Sequence, residues 1–291
     1  MLTNPSHLSR EQEQLLQEID AFRRAHPACI HNFGPEKLVY LHEHTQMARN
    51  EGALFLLAPR YDFHEILFFV DSIDHLPAAL SALIHKQGAE KRYRITLNYK
   101  QLDPENENDQ TRALFQAGFI RCKRITRMRV DDLEKDKKHR QRLLNLTAHI
   151  TLAPEWAVPG DEEEILNLLR EEFDPIADNL PTLDEIRQHI ENRQVAIIRN
   201  DGQILAAHYF YTKNSTYYGL YDITIKEHRG DFLFLKIALF VDDYFKQNNI
   251  RFSRIYGWRD VENKRFLRED LNAGKVWENI FTDCFINQIP S

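Results

Sequence analysis

Asp222, His208 and Arg229 are the residues whose type and setting first suggest chemistry. Asp222 falls inside 216–225, a stretch that reads as a strand. A carboxylate on a central strand is rarely buried without a partner, so it is either paired or functional. His208 falls in the middle of a second predicted strand, 204–212, as a packed histidine or a proton carrier. Arg229 and Gly230 stand where the helix 231–247 is expected to begin. A guanidinium at a helix N-terminus suits a phosphate, or else a surface ion pair. Tyr209, Tyr211, Tyr217, Tyr218 and Tyr221 lie on the same strands, as packing or as the wall of a cleft. Asp270 lies on an amphipathic helix over 261–272, where a solvated carboxylate is the plain reading.

Other chemistries are excluded. The chain has 291 residues and three cysteines, Cys29, Cys122 and Cys284, with no CxxC pair. Zinc ribbons and dithiol redox motifs are absent, and each cysteine reads as a small buried hydrophobe. No two of the ten glycines lie two positions apart, so GxGxxG cannot occur, and neither the P-loop nor GxSxG fits anywhere. His42-Glu43 and His64-Glu65 lack the second histidine of HExxH, and no metal is expected.

Length and composition then set the frame. Hydrophobic residues make up 43% and charged residues 28%, as in ordinary globular chains of about two domains. No apolar run approaches the ~20 residues of a membrane helix, and the first residues lack a secretory pattern, so the chain is expected in the cytoplasm. Residues 1–145 carry 22 Lys+Arg against 20 Asp+Glu, and 146–291 carry 16 against 24. The most basic stretch, 121–142, has ten basic and four acidic residues. It is read as the boundary between domains at 1–140 and 145–291. Its charge suits either a solvated connecting helix or a surface for a polyanion.

Periodicity predicts helices over 10–26, 77–86 and 109–117 and strands over 53–58, 65–71, 93–99 and 119–130 in the first half. The second half reads as a strand over 150–152 and helices over 161–173 and from a Thr182–Glu185 capping box. Strands over 194–198, 204–212 and 216–225 follow. Then come helix 231–247, strand 252–258, helix 261–272 and strand 276–285. No proline interrupts 182–289, which suits an unbroken sheet.

This order resembles the GNAT superfamily of N-acetyltransferases, on three local signals. Strand 218–225 runs into Lys226-Glu227-His228-Arg229-Gly230 and the apolar helix, like the family's pyrophosphate loop. Strand 252–258 is followed by Asp260-Val261-Glu262-Asn263, like the asparagine before the next helix. Gly274 follows Asn263 by eleven residues. A weaker echo, Asn108 and Leu114–Phe119, lies in the first half. The resemblance implies an α+β fold of two tandem GNAT-like domains, the first degenerate, each a mixed, mostly antiparallel sheet flanked by helices.

By that resemblance, acetyl-CoA or another acyl-CoA donates to an amine on a small molecule or peptide. The donor would lie along Ile223, Thr224 and Ile225, with its pyrophosphate at Arg229, Gly230, Asp231, Phe232, Leu233 and Phe234, and with Asn263 beside it. His208, Asp222 and Glu227 are candidate bases, and Tyr256 and a protonated Asp270 candidate thiolate donors. The departures are specific. Phe232 and Phe234 replace both loop glycines, Asp231 stands where it could cap the helix, and Phe266 replaces the alanine after the asparagine. The usual tyrosine position is Asp270 in the second half and Phe115 in the first. Two alternatives therefore stay open. One is a transferase fed by an acidic carrier protein or an aminoacyl-tRNA through 121–142. The other is a non-catalytic binding module.

Overall fold

The computed structural model describes residues 9–34, 37–38, 41–101, 106–130, 133–146, 148 and 151–288. The chain divides into one unit of residues 1–124 with 279–291, and a second of residues 125–278.

In the first unit, helix α1 (Arg10–Ala25) opens with a Ser9–Gln12 capping box and buries Ile19 and Phe22. Strands β1 (Ile30–His31), β2 (Gln46–Asn50), β3 (Ala53–Pro59) and β4 (Phe63–Val70) follow. Then come α2 (Leu76–Gln87), β5 (Arg92–Lys100), α3 (Asp109–Gln116) and β6 (Phe119–Val130). Strands β3 and β4 are mostly apolar because both faces are covered, His64 and Glu65 being the exceptions. Phe55, Leu57, Ile66 and Phe68 meet Leu80, Leu83 and Leu114 of α2 and α3. Leu54, Leu56, Leu67 and Phe69 meet Ile19 and Phe22. Strands β1 and β2 were not expected from the sequence: β2 is mostly exposed and lacks an apolar face, and β1 has two residues.

The second unit continues from β6 through helix α4 (Leu133–Leu146) and a short strand β7 (Pro154–Trp156). Of the strand expected over 150–152, Ile150 lies outside the described residues, and 151–152 are not strand. Helix α5 (Glu162–Glu172) buries Ile165, Leu168 and Leu169. Helix α6 (Leu183–Glu191) starts at the Thr182–Glu185 capping box. Strands β8 (Val195–Asn200), β9 (Gln203–Lys213) and β10 (Thr216–Thr224) form hairpins. Asp201-Gly202 and Asn214-Ser215 turn them with positive φ at every position. Helix α7 (Leu233–Gln247), β11 (Arg254–Asp260), α8 (Lys264–Asn272) and β12 (Lys275–Asn287) complete the order.

The strand order in the second unit is β6-β11-β10-β9-β8-β7. Among its described residues only β10 and β11 pair in parallel. Phe210 packs on Phe245 of α7, while its neighbour Tyr209 meets His189 of α6, so helices cover both faces. The partition differs from a cut between 140 and 145. Residues 280–286 of β12 pair with 94–100 of β5, so the end of the chain completes the first unit's sheet. Residues 125–130 of β6 belong to the second unit and pair 125–129 with β11. Among the described residues no helix is long and apolar enough to cross a membrane.

Candidate active site

The second unit's parallel pair is short. Thr216, Tyr217 and Tyr218 stand opposite Arg254, Ile255 and Tyr256, and the register ends there although both strands continue. Beyond it β10 stays with β9 through Ile223 and Thr224, and Ile225 N–H donates to the Leu205 carbonyl. β11 stays with β6 through Asp260. The two strands therefore open a wedge toward their C-terminal ends, between residues 219–224 and 257–260.

A β-bulge between Gly219 and Tyr221 arms this wedge. Continuing the register of the preceding residues would put Asp222 opposite Ala207. The extra residue shifts the pairing so that Asp222 stands opposite His208. His208 Nδ1 lies 2.6 Å from Asp222 Oδ1, and His208 Nε2 is hydrogen-bonded to the Tyr217 hydroxyl. In the neutral ring, Nδ1–H donates to the carboxylate and the phenol donates to Nε2, which satisfies both ring nitrogens. His208 is 7% exposed. Burial opposes ionisation of Asp222, but His208, by charge and hydrogen bond, outweighs it together with Arg259 and Lys275. The carboxyl is held well below the usual carboxylate range. Its side chain remains 40% exposed, so the group is recessed rather than sealed. The dyad lies at the apex of the wedge: a Cβ placed on Gly219 would stand 3.7 Å from the Tyr217 ring and the Tyr256 carbonyl, and 3.9 Å from the His208 ring.

The other sequence candidates divide. Tyr256 closes the last parallel pair; its ring is buried under Arg127, 4.5 Å from the guanidinium, and touches Tyr218. Asp270 is neither solvated nor a proton donor: it is 7% exposed, and Arg259 Nε (2.7 Å) and Lys275 Nζ (2.5 Å) both donate to it. A carboxylate held by two cations only accepts, which corrects the expected thiolate donor. Glu227 is exposed on the turn before α7. Tyr217 and Arg259 were not singled out as site residues. Tyr217 looked like one of five strand tyrosines, and only the bulge shows which ring meets His208.

The expected phosphate loop is partly rebuilt. Arg229 is bound by both carboxylate oxygens of Glu172, so the ion pair is the arrangement present. Asp231 does not cap α7: its carboxylate meets His228 Nδ1 at 2.7 Å, and the helix starts at Leu233 without a side-chain cap. The first-turn N–H groups of Leu233 and Phe234 therefore keep the open valence of any helix start. Space around Gly230 is open, with nothing within 4 Å of a Cβ placed there. Phe232, at the first glycine position, adopts φ 53° and ψ 33°. That left-handed conformation is one glycine takes at little cost and phenylalanine does not. The backbone keeps the shape of a glycine loop without the glycine. Asn263 lies between the end of β11 and α8, at the mouth of the wedge. Past Tyr218 and Tyr256 the facing edges of β10 and β11 are not paired with each other, and the Arg229 guanidinium at the loop is taken up by Glu172.

The basic strand is not a bare cationic surface. In the first unit Arg121 and Arg124 bind Glu107 and the buried Asp283. In the second, Arg127 and Arg129 bind Glu278.

The first unit repeats the parallel pair. Phe63, His64 and Glu65 stand opposite Arg92, Tyr93 and Arg94, and the register again ends after three residues. Here the chain itself fills the opening. β1 pairs with Phe69 and Val70. Asn32 Nδ2 donates to the Ile66 (3.0 Å) and Thr96 (3.3 Å) carbonyls, and its Oδ1 accepts from Phe68 N–H. Lys37 Nζ donates to the Thr96 carbonyl at 2.7 Å. An open groove of about 560 Å³ in this unit, lined by Ile30, Tyr99 and Glu107 among others, contains none of the candidate residues.

Solved structures share this architecture. A GCN5-related N-acetyltransferase from Sphaerobacter thermophilus is 14% identical, with 82% of this chain and 78% of that chain covered at a TM-score of 0.50. A tandem GNAT protein from the clavulanic acid biosynthesis pathway is 12% identical, with 97% of each chain covered at 0.55. A conserved protein of unknown function from Staphylococcus epidermidis is 9% identical, with 86% and 96% covered at 0.51. No protein-family model matches the chain, and no curated protein matches it. The chain has the α+β fold of the GNAT superfamily, in the tandem form.

Proposed function

We propose that this chain transfers an acyl group, acetyl in the simplest case, from a CoA thioester to an amine, in its second unit only. One observation carries the reading: the parallel pair stops at Tyr218 and Tyr256, and the Asp222–His208 dyad stands at that stop. The thioester arm would lie along Ile223, Thr224 and Ile225. The N–H groups of 230–234, with Arg229, would meet the phosphates. An amine nitrogen attacks the thioester carbonyl carbon; the C–N bond forms as the C–S bond breaks. Asp222 draws the cationic amine by charge and orients His208, which takes its proton. Tyr256 at the apex is the candidate to protonate the thiolate. The reading places the chain in the cytoplasm, with a small molecule or peptide as acceptor.

Titration with acetyl-CoA and an assay of thiol release with a panel of amines test it. Saturable heat and amine-dependent thiol release, lost in His208→Ala, are expected. Neither heat nor thermal shift at millimolar acetyl-CoA would overturn the CoA donor. A second reading keeps the wedge and takes the thioester from the phosphopantetheine arm of an acidic carrier protein. The engagement of Arg229 by Glu172 favours it, since such a donor relies less on the loop. An aminoacyl-tRNA donor is disfavoured by the pairing of the β6 arginines.

A further inference from the structure

Two thiols outside the wedge face each other in the first unit. β6 and β12 are neighbours, and Gln288 N–H donates to the Gly118 carbonyl at 3.4 Å. Four residues on along β6 and four back along β12 lie Cys122 and Cys284, and Cys122 Sγ contacts the Cys284 carbonyl at 3.4 Å. The two contacts fix an antiparallel register with the cysteines directly opposite. Opposite residues on antiparallel strands have Cα atoms roughly 4.5–5.5 Å apart, inside the roughly 4.4–6.8 Å that a disulfide spans.

The two sulfurs differ in setting. Cys122 is exposed and Cys284 is buried, 3% exposed. The hydrogen bond with Cys122, and then burial, push the Cys284 thiol up. An oxidant therefore meets Cys122 first, with Cys284 held beside it as the resolving thiol.

We propose that Cys122 and Cys284 form an oxidation site that closes into a disulfide when the chain meets a peroxide. The Cys122 thiolate attacks a peroxide oxygen; an S–O bond forms, the O–O bond breaks, and hydroxide leaves to become water. The Cys284 sulfur then attacks the Cys122 sulfenic acid. The S–S bond forms and the S–O bond breaks, and a second water leaves with the Cys284 proton. The peroxide takes two electrons from the thiol pair. Cys284 stands opposite Thr96, whose hydroxyl holds the buried Glu65. The bond would thus tie β6 to β12 beside the segment that fills the first unit's wedge.

The test treats the full chain with hydrogen peroxide and maps its peptides by mass spectrometry, with and without dithiothreitol. The expected result is an intramolecular loss of two hydrogens and a linked Cys122–Cys284 peptide pair. It is reversed by dithiothreitol, kept in Cys29→Ser and lost in Cys122→Ser. The thermal midpoint of the oxidised wild type should rise above that of the reduced chain. Addition of oxygens to Cys122 while Cys284 still accepts an alkylating reagent would overturn the proposal. So would a disulfide that uses Cys29.

Discussion

The two units build the same opening and use it in opposite ways. In each, a parallel pair runs for three residues and then parts. In the first, Asn32, Lys37 and β1 supply the partners that the parted strands lack, and Glu65 is sealed among Arg94, Lys37 and Thr96 at 0% exposure. In the second, a bulge brings Asp222 to His208, and the carboxylate stays 40% exposed. Both carboxylates are held ionised by cations against the cost of burial. Only the second is open to solvent. The self-filled wedge serves stability, and the open one is the proposed seat of the chemistry.

The largest expected effect comes from breaking the closed wedge. Glu65→Gln leaves Arg94 and Lys37 buried beside a neutral partner and should cost about 3–5 kcal/mol, the scale of a broken buried pair. Urea unfolding measures this; a loss below about 1 kcal/mol would mean that the network is not what holds the segment.

At the open wedge the effect should fall on rate. Asp222→Asn should lower acyl transfer by about 10²-fold or more, the scale of a general acid–base group, and should lower the thermal midpoint at neutral pH, where the ionised carboxylate adds stability. The sign of its pH effect is fixed. A carboxyl with a depressed folded value adds stability above its unfolded value of roughly 4. It loses that share as pH falls through the folded value. Acid unfolding of Asp222→Asn should therefore be shallower than that of wild type below about pH 4. Parallel curves would show that His208 does not hold the carboxylate.

A smaller gain is expected at the loop. Phe232→Gly removes a left-handed phenylalanine, a strain of about 1–2 kcal/mol. It should raise stability by up to that amount and tighten acetyl-CoA binding, both readable by calorimetry. Weaker binding would mean that the ring itself contacts the donor. The smallest effect on stability is expected of Gly219→Ala, whose new Cβ meets its neighbours at ordinary contact distances. It narrows the apex, so the KM for the donor should rise while the thermal midpoint stays. An unchanged KM would place the donor elsewhere.

Much of this was legible in the sequence, because helices and strands repeat at 3.6 and 2 residues and turns have their own chemistry. The capping box at Thr182 and the Asp201-Gly202 hairpin both follow from such signals. Asp222 and His208 could be named separately but not joined, because a single inserted residue sets their register. Asp270 misled because amphipathic spacing says which face is polar, not that Arg259 and Lys275 wait on it. The plug of Asn32 and Lys37 was invisible because it is made of backbone acceptors more than thirty residues away. The exchange of β12 into the first sheet was hidden for the same reason, since pairing between distant strands leaves no local period.

The central claim is that only the second wedge admits a thioester donor, and hydrogen exchange with and without acetyl-CoA tests it most directly. The account predicts slowed exchange over 219–225, 230–234 and 257–260, and no change over 30–37, 63–70 and 92–100. Protection confined to the first unit's wedge would contradict it.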